Sequence, residues 1–148
     1  MKLGGCQCGS VRYWLGQDAL SLYVCHCLEC RRQSASGFGL SIPIWRDALR
    51  IEGPLDAYSR ATASGATTRC SFCKVCGTRI FHQSSRSDAT ATLKGGTLDS
   101  LEALNPVAHI WVSHKLPWVL LDPAVPAWET QPEDLTAWRM ALLEVGMA

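Results

Sequence analysis

The stretch Cys73-Lys-Val-Cys76-Gly77 decides the fold of this chain, because two cysteines at C-x-x-C spacing can hold one metal ion across a tight turn. A second doublet, Cys6-Gln-Cys8, lies near the N-terminus, and residues i and i+2 of an extended segment point the same way. Two doublets supply the four thiolates of a closed, structural zinc site. We therefore predict that Cys6, Cys8, Cys73 and Cys76 bind a structural zinc that ties the N-terminus to the middle of the chain.

The third cysteine motif, Cys25-His-Cys27-Leu-Glu-Cys30, supplies three thiolates and leaves a fourth zinc position open. We interpret it as a catalytic centre, because a thiol that binds zinc loses its proton and becomes a nucleophilic thiolate. Arg31 and Arg32 follow directly and are candidates to bind a substrate carboxylate by charge-assisted hydrogen bonds. For either arginine taken alone, solvated surface charge is an equal alternative.

Other assignments of the eight cysteines are open at this stage. Cys70 or a histidine could complete a second closed site, although we interpret Cys70 as a structural free cysteine. Its place three residues before Cys73 would put it nearer the four-thiolate site. Four disulfides would require an oxidising compartment. The close doublets, and the lack of a long apolar segment after Met1, favour metal binding in a reducing compartment, most simply the cytoplasm.

The composition is that of a globular protein and indicates a single domain over residues 1–148, with 47% hydrophobic and 18% charged residues. A formal net charge of +1 gives no field that would attract nucleic acid or an anionic membrane. The apolar stretch 118–121 breaks at Asp122 and Pro123, far short of a membrane span. We expect neither nucleic acid nor membrane among the partners, and the oligomeric state is undetermined.

Period-2 alternation of apolar residues predicts a mainly β domain. The clearest case places Phe38, Leu40, Ile42 and Ile44 on one strand face, and Pro43 predicts that this strand ends or lies at an edge there. The other predicted strands lie around residues 11–15, 20–24, 49–51, 56–60, 68–72, 90–93 and 109–112. A capping-box pattern at 130–133, followed by apolar residues at helical spacing, predicts one short C-terminal helix over about 132–144.

Several motifs occur together in an order that resembles a known family. They are Gly5-Cys-Gln-Cys-Gly-Ser-Val-Arg-Tyr13, Cys25-His-Cys-Leu-Glu-Cys-Arg-Arg32, Phe72-Cys-Lys-Val-Cys-Gly-Thr78, Gly96-Thr-Leu-Asp99 and His109-Ile-Trp-Val112 with Pro117-Trp118. Over roughly residues 4–120 the chain is similar to the glutathione-dependent formaldehyde-activating (GFA) family, which shares a domain with centromere protein V. The three cysteine motifs carry most of the resemblance.

The resemblance implies an Mss4-like, mainly β zinc-binding fold with two zinc ions per chain. It implies a structural zinc on the two doublets and a catalytic zinc on Cys25, Cys27 and Cys30. The implied activity is addition of glutathione's thiol to formaldehyde, the reaction of a carbon–sulfur lyase. Two positions depart from the family pattern: Ala35 stands where we expect glycine, and Cys70 is an additional cysteine.

Two other function classes compete with the enzyme. A zinc-stabilised binding module would not need an open metal position, and a nucleic-acid binder would carry a basic stripe that this sequence lacks. A thiol-based redox or metal sensor would use exposed thiolates. His109, Trp111 and Trp118 could line a substrate cleft, although their strand spacing favours core packing, and we expect Asp99 to close a turn.

Overall fold

The computed structural model describes residues 1–102 and 104–145, and over these residues the chain is mainly β. Its strands are β1 (Lys2–Gly5), β2 (Arg12–Leu15), β3 (Leu22–Cys25), β4 (Gly39–Trp45), β5 (Leu49–Glu52), β6 (Leu55–Ala61), β7 (Thr67–Cys73), β8 (Arg79–Ser84), β9 (Thr90–Lys94) and β10 (Pro106–Ile110). Its α-helices are α1 (Leu28–Ser34) and α2 (Leu135–Glu144). The predicted mainly β fold with a short C-terminal helix is confirmed.

The strands form two sheets. The smaller has three strands in the order β1-β2-β5, and the larger has seven in the order β10-β3-β4-β9-β8-β7-β6. Every pairing is antiparallel except that of β10 with β3. The chain passes from the small sheet to the large one after β2, returns for β5, and then stays in the large sheet. The two cysteine doublets lie on opposite sides of this exchange, one directly after β1 and the other at the end of β7 and in the turn that follows it.

The main core lies between the two sheets, where apolar residues of alternating strand positions meet. Tyr13 and Leu15 come from the small sheet, while Ile42, Ile44 and Leu93 come from the large one, and all five are fully buried. Burial of a side chain of this size is worth about 1.5–3 kcal/mol. The alternating pattern predicted for β2 and β4 therefore corresponds to the face that fills this core.

A second core lies on the other face of β3, where helix α2 packs. Trp138 makes edge-on ring contacts with Tyr23 at 5.0 Å and with Trp128 at 5.6 Å between ring centroids. The helix begins at Leu135, three residues later than the start at 132 that the capping-box pattern predicts. The reason is that the Asp134 carboxylate accepts the Ala137 amide at 2.9 Å and so caps the helix itself.

Two strand predictions differ in detail from the structure. β4 runs through Pro43 to Trp45, but its ladder with β3 covers only residues 39–41, so Pro43 pairs with β9 alone and needs no donor on the other side. The strand predicted over 109–112 ends at Ile110, because Trp111 adopts a left-handed backbone conformation with φ 59°. β1, β8 and α1 have no counterpart among the elements predicted from the sequence. Neither α-helix of the described residues has the length and apolar content to cross a membrane.

Candidate metal centres

The four-cysteine cluster (Cys6, Cys8, Cys73 and Cys76) brings together two turns that are remote in sequence. Its four sulfur atoms lie within 4.8 Å of one another, with the Cys6 and Cys8 sulfurs 3.5 Å apart and those of Cys8 and Cys73 3.9 Å apart. Four sulfurs around zinc, at Zn–S distances of about 2.3 Å, are separated by about 3.8 Å in a tetrahedron. The cluster therefore has the donor set and spacing of a closed thiolate site.

Hydrogen bonds and one glycine fix the turn of the second doublet. The Gly77 amide donates to the Cys73 carbonyl at 2.8 Å, and Gly77 has φ 79°, a conformation that glycine adopts without steric cost. Hydrogen bonds from the Thr78 hydroxyl and backbone lower the pKa of Cys76 to about 5. A thiol with a lowered pKa supplies the thiolate that a metal ion requires.

All eight cysteines are unbridged, so the alternative of four disulfides is wrong for this structure. Sulfur separations of 3.5 Å or more in the four-cysteine cluster are far beyond the roughly 2.05 Å of a disulfide bond.

The three-cysteine cluster (Cys25, Cys27 and Cys30) forms where β3 ends and α1 begins. Cys25 is the last residue of the strand, Cys27 is the N-cap of the helix, and Cys30 lies in its first turn. All three sulfurs are within 4.8 Å of one another, and the Cys27 sulfur accepts the Cys30 amide at 3.4 Å. The spacing thus brings together the three thiols that the sequence singles out, and no fourth ligand among the described residues joins them.

Contacts among the three thiols favour ionisation of Cys27, the N-cap of α1. Hydrogen bonds from the thiols of Cys25 and Cys30 lower the pKa of Cys27 to about 2, whereas the same contacts raise the pKa of Cys25. Helix α1 approaches β4 closely because Gly39 has no side chain: a Cβ there would lie 3.1 Å from the Cβ of Cys30. The cluster is therefore held between the end of a central strand and a short helix packed on its neighbour.

His26 points away from the cysteines that flank it, as the extended segment predicts. Its ring is fully buried, and its Nε2 lies 3.1 Å from Nδ1 of the buried His109. Burial lowers the pKa of His26 to about 4, with the nearby His109 adding to the effect. The pair joins the start of the three-cysteine cluster to β10, so His109 serves packing here rather than a cleft.

A cavity of about 260 Å³ adjoins the three-cysteine cluster at Cys30. Most of its charged lining is basic, and one acidic side chain lies among the basic ones. The lining consists of Glu29, Cys30, Arg32, Gln33, Tyr58, Arg60, Thr68, Cys70, Arg79, His82 and Lys94. We call it the basic cavity. Apart from Cys30, Arg32 and Cys70, nothing in the sequence marks these residues, because the strands that carry them meet only in the folded sheet.

A second cavity of about 330 Å³ lies on the other side of α1, lined by Leu28, Arg31, Arg32, Ala35, Ser36, Gly37 and Leu116. Arg31 contributes to this cavity alone, while Arg32 lines both. The two arginines singled out in the sequence therefore stand next to the three-cysteine cluster. Of the two, Arg32 has access to the cavity that contains Cys30.

Cys70 lines the basic cavity and does not join the four-cysteine cluster. Residues three apart on a strand point to opposite faces, so Cys70 faces the cavity with Thr68 while Cys73 faces the main core. Cys70 is 3% exposed and belongs to neither cysteine cluster. The alternative in which it completes a second closed site is therefore not what the structure shows.

The loop after α1 shows what the departure at Ala35 means structurally. Ala35 is the C-cap of the helix and adopts a left-handed conformation with φ 50° and ψ 38°. Glycine is common at this position because a Cβ raises the energy of that conformation. Ala35 also lines the second cavity. The helix that carries Cys30 and both arginines therefore ends on a strained residue.

The remaining sequence candidates divide between packing and surface. Trp111 packs against the second core, whereas Trp118 is 70% exposed and lies outside any core. Asp99 forms an ion pair with Arg12 that joins the end of the Gly96–Asp99 motif to β2. Asp99 therefore makes a contact with a residue that is remote in sequence, whereas we expected it only to close a local turn.

The fold and its two clusters define a class: a mainly β protein with one group of four cysteines and one of three, each of which could hold a metal ion. The profile of the family described as glutathione-dependent formaldehyde-activating enzyme matches residues 1–114, and this chain belongs to that family. A crystal structure of a Rhodobacter sphaeroides protein is similar in fold, with a TM-score of 0.52 and 23% identity over 70% of this chain and 91% of that one. No protein of curated function matches the sequence.

Proposed function

We propose that this protein is a zinc-dependent carbon–sulfur lyase of the S-(hydroxymethyl)glutathione synthase type. It would add a small thiol, glutathione before others, to formaldehyde or a related electrophile. The observation that carries the proposal is the three-cysteine cluster itself. Its three sulfurs converge within 4.8 Å beside a cavity, and no fourth ligand of the described residues closes the set.

The donor set suits zinc, because three thiolates with an open position form a site that can accept a further sulfur ligand. Cys25, Cys27 and Cys30 would bind the catalytic ion, and the four-cysteine cluster would bind the structural one. When bound, the catalytic zinc would supply a position where a thiol stays deprotonated near neutral pH. The hydrogen bonds that favour the thiolate of Cys27 support this role, since a metal ligand must be deprotonated.

The proposed reaction is an addition that needs neither oxidant nor reductant. The thiolate sulfur forms a bond to the aldehyde carbon, and the electron pair of the C=O π bond moves to oxygen. That oxygen takes up one proton, which balances the proton that the thiol released. The reverse sequence breaks the carbon–sulfur bond and gives back thiol and aldehyde, so the same site serves synthesis and cleavage.

Arg32 is the arginine that we assign to the substrate carboxylate, because it lines the cavity that contains Cys30 as well as the second cavity. A guanidinium group binds a carboxylate through two parallel hydrogen bonds. Arg31 faces only the second cavity and would contribute there if the substrate extends across α1. Replacing Arg32 with Ala should raise KM more than it lowers kcat, since the contact is made before and during the reaction.

The test is X-ray absorption at the zinc edge on zinc-loaded protein, with and without glutathione. Zinc at the three-cysteine cluster should change from three sulfur neighbours to four at saturating glutathione, while zinc at the four-cysteine cluster stays at four. If zinc at the three-cysteine cluster keeps three sulfur neighbours, the mechanism is contradicted. If glutathione binds to zinc but formaldehyde consumption does not rise, the thiol chemistry stands and the formaldehyde assignment is wrong.

A further inference from the structure

The basic cavity concentrates positive charge to a degree that the chain as a whole does not. Arg32, Arg60, Arg79 and Lys94 line it, and Glu29 is its only acidic residue among the described lining. The whole chain has 14 basic and 13 acidic residues, so chance placement would give near balance. Glu29 offers weak compensation, because its carboxylate oxygen lies 3.9 Å from Nε of Arg60 and half of its side chain is exposed.

Lys94 is the most buried of the four Lys and Arg side chains that line the cavity. It ends strand β9, and only 8% of it is exposed. Within residues 1–102 and 104–145, its ammonium group forms neither a hydrogen bond nor an ion pair with any side chain or carbonyl. A largely buried ammonium group that faces a cavity and has no partner in the protein is placed to bind an anion there. Burial accordingly lowers the pKa of Lys94.

Arg79 adds a second unpaired cation to the same wall. It begins strand β8, is half-buried, and makes no ion pair with a described residue. Planar guanidinium groups recognise carboxylates by paired hydrogen bonds, and an ammonium group adds a point charge. Cys30 lies in the same lining, so an anion held here would sit next to the three-cysteine cluster.

We propose that the basic cavity is a carboxylate subsite of the active centre, with the Lys94 ammonium at its base and the guanidinium groups of Arg79 and Arg60 on its walls. This inference rests on the proposed function, because it gives the substrate at the three-cysteine cluster a carboxylate. The carboxylate can belong to the thiol, as in a peptide thiol, or to the electrophile, as in a 2-oxo acid. Arg32, which we assign to a substrate carboxylate above, lines the same cavity from the side of α1 and adds to this group of cations.

The experiment measures binding to the zinc-loaded protein by calorimetry with four probes. Glutathione carries both thiol and carboxylates, its dimethyl ester keeps the thiol alone, and S-methylglutathione keeps the carboxylates alone. Glyoxylate carries a carboxylate on an aldehyde. We expect at least one carboxylate-bearing probe to bind at least about tenfold more weakly to Lys94→Met and to Arg79→Gln than to the unsubstituted protein. The dimethyl ester should bind all three proteins alike.

Arg69→Gln is the matched control. Arg69 lies on β7 between the cavity residues Thr68 and Cys70, but its side chain is exposed on the opposite face of the strand. It removes one positive charge without touching the cavity, so it should leave every affinity within about twofold. Zinc content and circular dichroism of each variant establish that the fold and both metals are retained.

The probes separate the outcomes. A loss confined to glutathione and S-methylglutathione assigns the subsite to the thiol, and a loss confined to glyoxylate assigns it to the electrophile. If S-methylglutathione or glyoxylate depends on Lys94 while glutathione never adds a sulfur to zinc, the subsite stands and the proposed function fails. The subsite is overturned if Lys94→Met and Arg79→Gln leave the affinity of every probe unchanged. It is also overturned if the only effect of these substitutions is a loss of zinc, which would mean that Lys94 balances the charge of the thiolates.

Discussion

The two cysteine clusters are built from the same side chain, but one joins segments that are remote in sequence and the other joins neighbouring residues. The four-cysteine cluster joins the turn after β1 to the end of β7 and the turn that follows it, and its left-handed turn residues are Gly9 and Gly77. The three-cysteine cluster is built within six residues, at one strand end and one helix start. The first connects remote parts of the fold, and the second needs only local structure.

The backbone conformation around the two clusters also differs. The two non-glycine residues of the described chain with positive φ, Ala35 and Trp111, both lie near the three-cysteine cluster. Ala35 ends the helix that carries Cys30, and Trp111 packs with Cys27 and Cys30 around the second core. Strained residues of this kind cost about 1–3 kcal/mol and concentrate at functional sites. The strained non-glycine residues therefore belong to the surroundings of the three-cysteine cluster, whereas the left-handed turns of the four-cysteine cluster are made by glycine.

We expect the largest effect on the free energy of unfolding from removing one ligand of the four-cysteine cluster. Cys73→Ser should lower the free energy of unfolding by about 3 kcal/mol or more, because metal binding at a structural site is folding free energy. Urea unfolding combined with metal analysis measures it. Cys70→Ser, in the same strand, is the control and should cost about 1 kcal/mol with all metal retained. If Cys70→Ser releases a metal ion, the ligand assignment is wrong.

Replacing one cysteine of the three-cysteine cluster should remove a metal ion without unfolding the protein. The unsubstituted protein, purified under reducing conditions, should hold about two zinc equivalents from its two sites, and Cys27→Ser about one. A chelator should likewise remove one equivalent from the folded protein well before the other, since three ligands hold zinc less firmly than four. Equal release of both ions would remove the distinction between the clusters.

A smaller effect should follow from straining the closed cluster. Gly77→Ala should cost about 1–2 kcal/mol, because an alanine at φ 79° takes on the left-handed penalty. A Cβ at this position would meet no atom within 4 Å, so the cost reports backbone conformation alone. Thermal unfolding measures the change, and an unaltered midpoint would show that the turn relaxes instead.

The smallest effect should have the opposite sign, at the open cluster. Ala35→Gly should raise the free energy of unfolding by up to about 1 kcal/mol, because glycine relieves the left-handed strain at the C-cap of α1. Ala137→Gly, on the exposed side of α2, is the control and should lower stability by about 1 kcal/mol. A loss of stability in Ala35→Gly would show that this loop is not strained.

Sequence reasoning could reach the parts of the molecule that rest on local spacing. Both cysteine clusters follow from doublets and one triplet whose geometry is set within a turn, and the apolar face of β4 follows from simple alternation. The C-terminal helix was predictable from its apolar period, while its start was not, because Thr130 and Asp134 are both good caps. Only the structure shows that the Asp134 carboxylate binds the Ala137 amide.

The basic cavity could not be predicted, because it depends on which strands are neighbours. Arg60, Arg79 and Lys94 lie on β6, β8 and β9, and only the strand order β9-β8-β7-β6 brings them to one wall. A single lysine at the end of an apolar strand gives no sign in sequence of being buried. That Cys70 lines this cavity could not be predicted for a related reason, since it depends on which face of β7 the side chain lies on and on which strands are its neighbours.

The difference in chain separation between the clusters also sets an order of assembly during synthesis. The ligands of the three-cysteine cluster are complete once Cys30 has been made, whereas those of the four-cysteine cluster wait a further 46 residues, until Cys76. At roughly 5–20 residues per second, this delay is on the order of 2–9 s. Cys6 and Cys8 therefore leave the ribosome as exposed thiols without partners. From Cys8 to Cys76 the chain adds 68 residues, and over that length the proposed structural zinc site would lack half of its ligands.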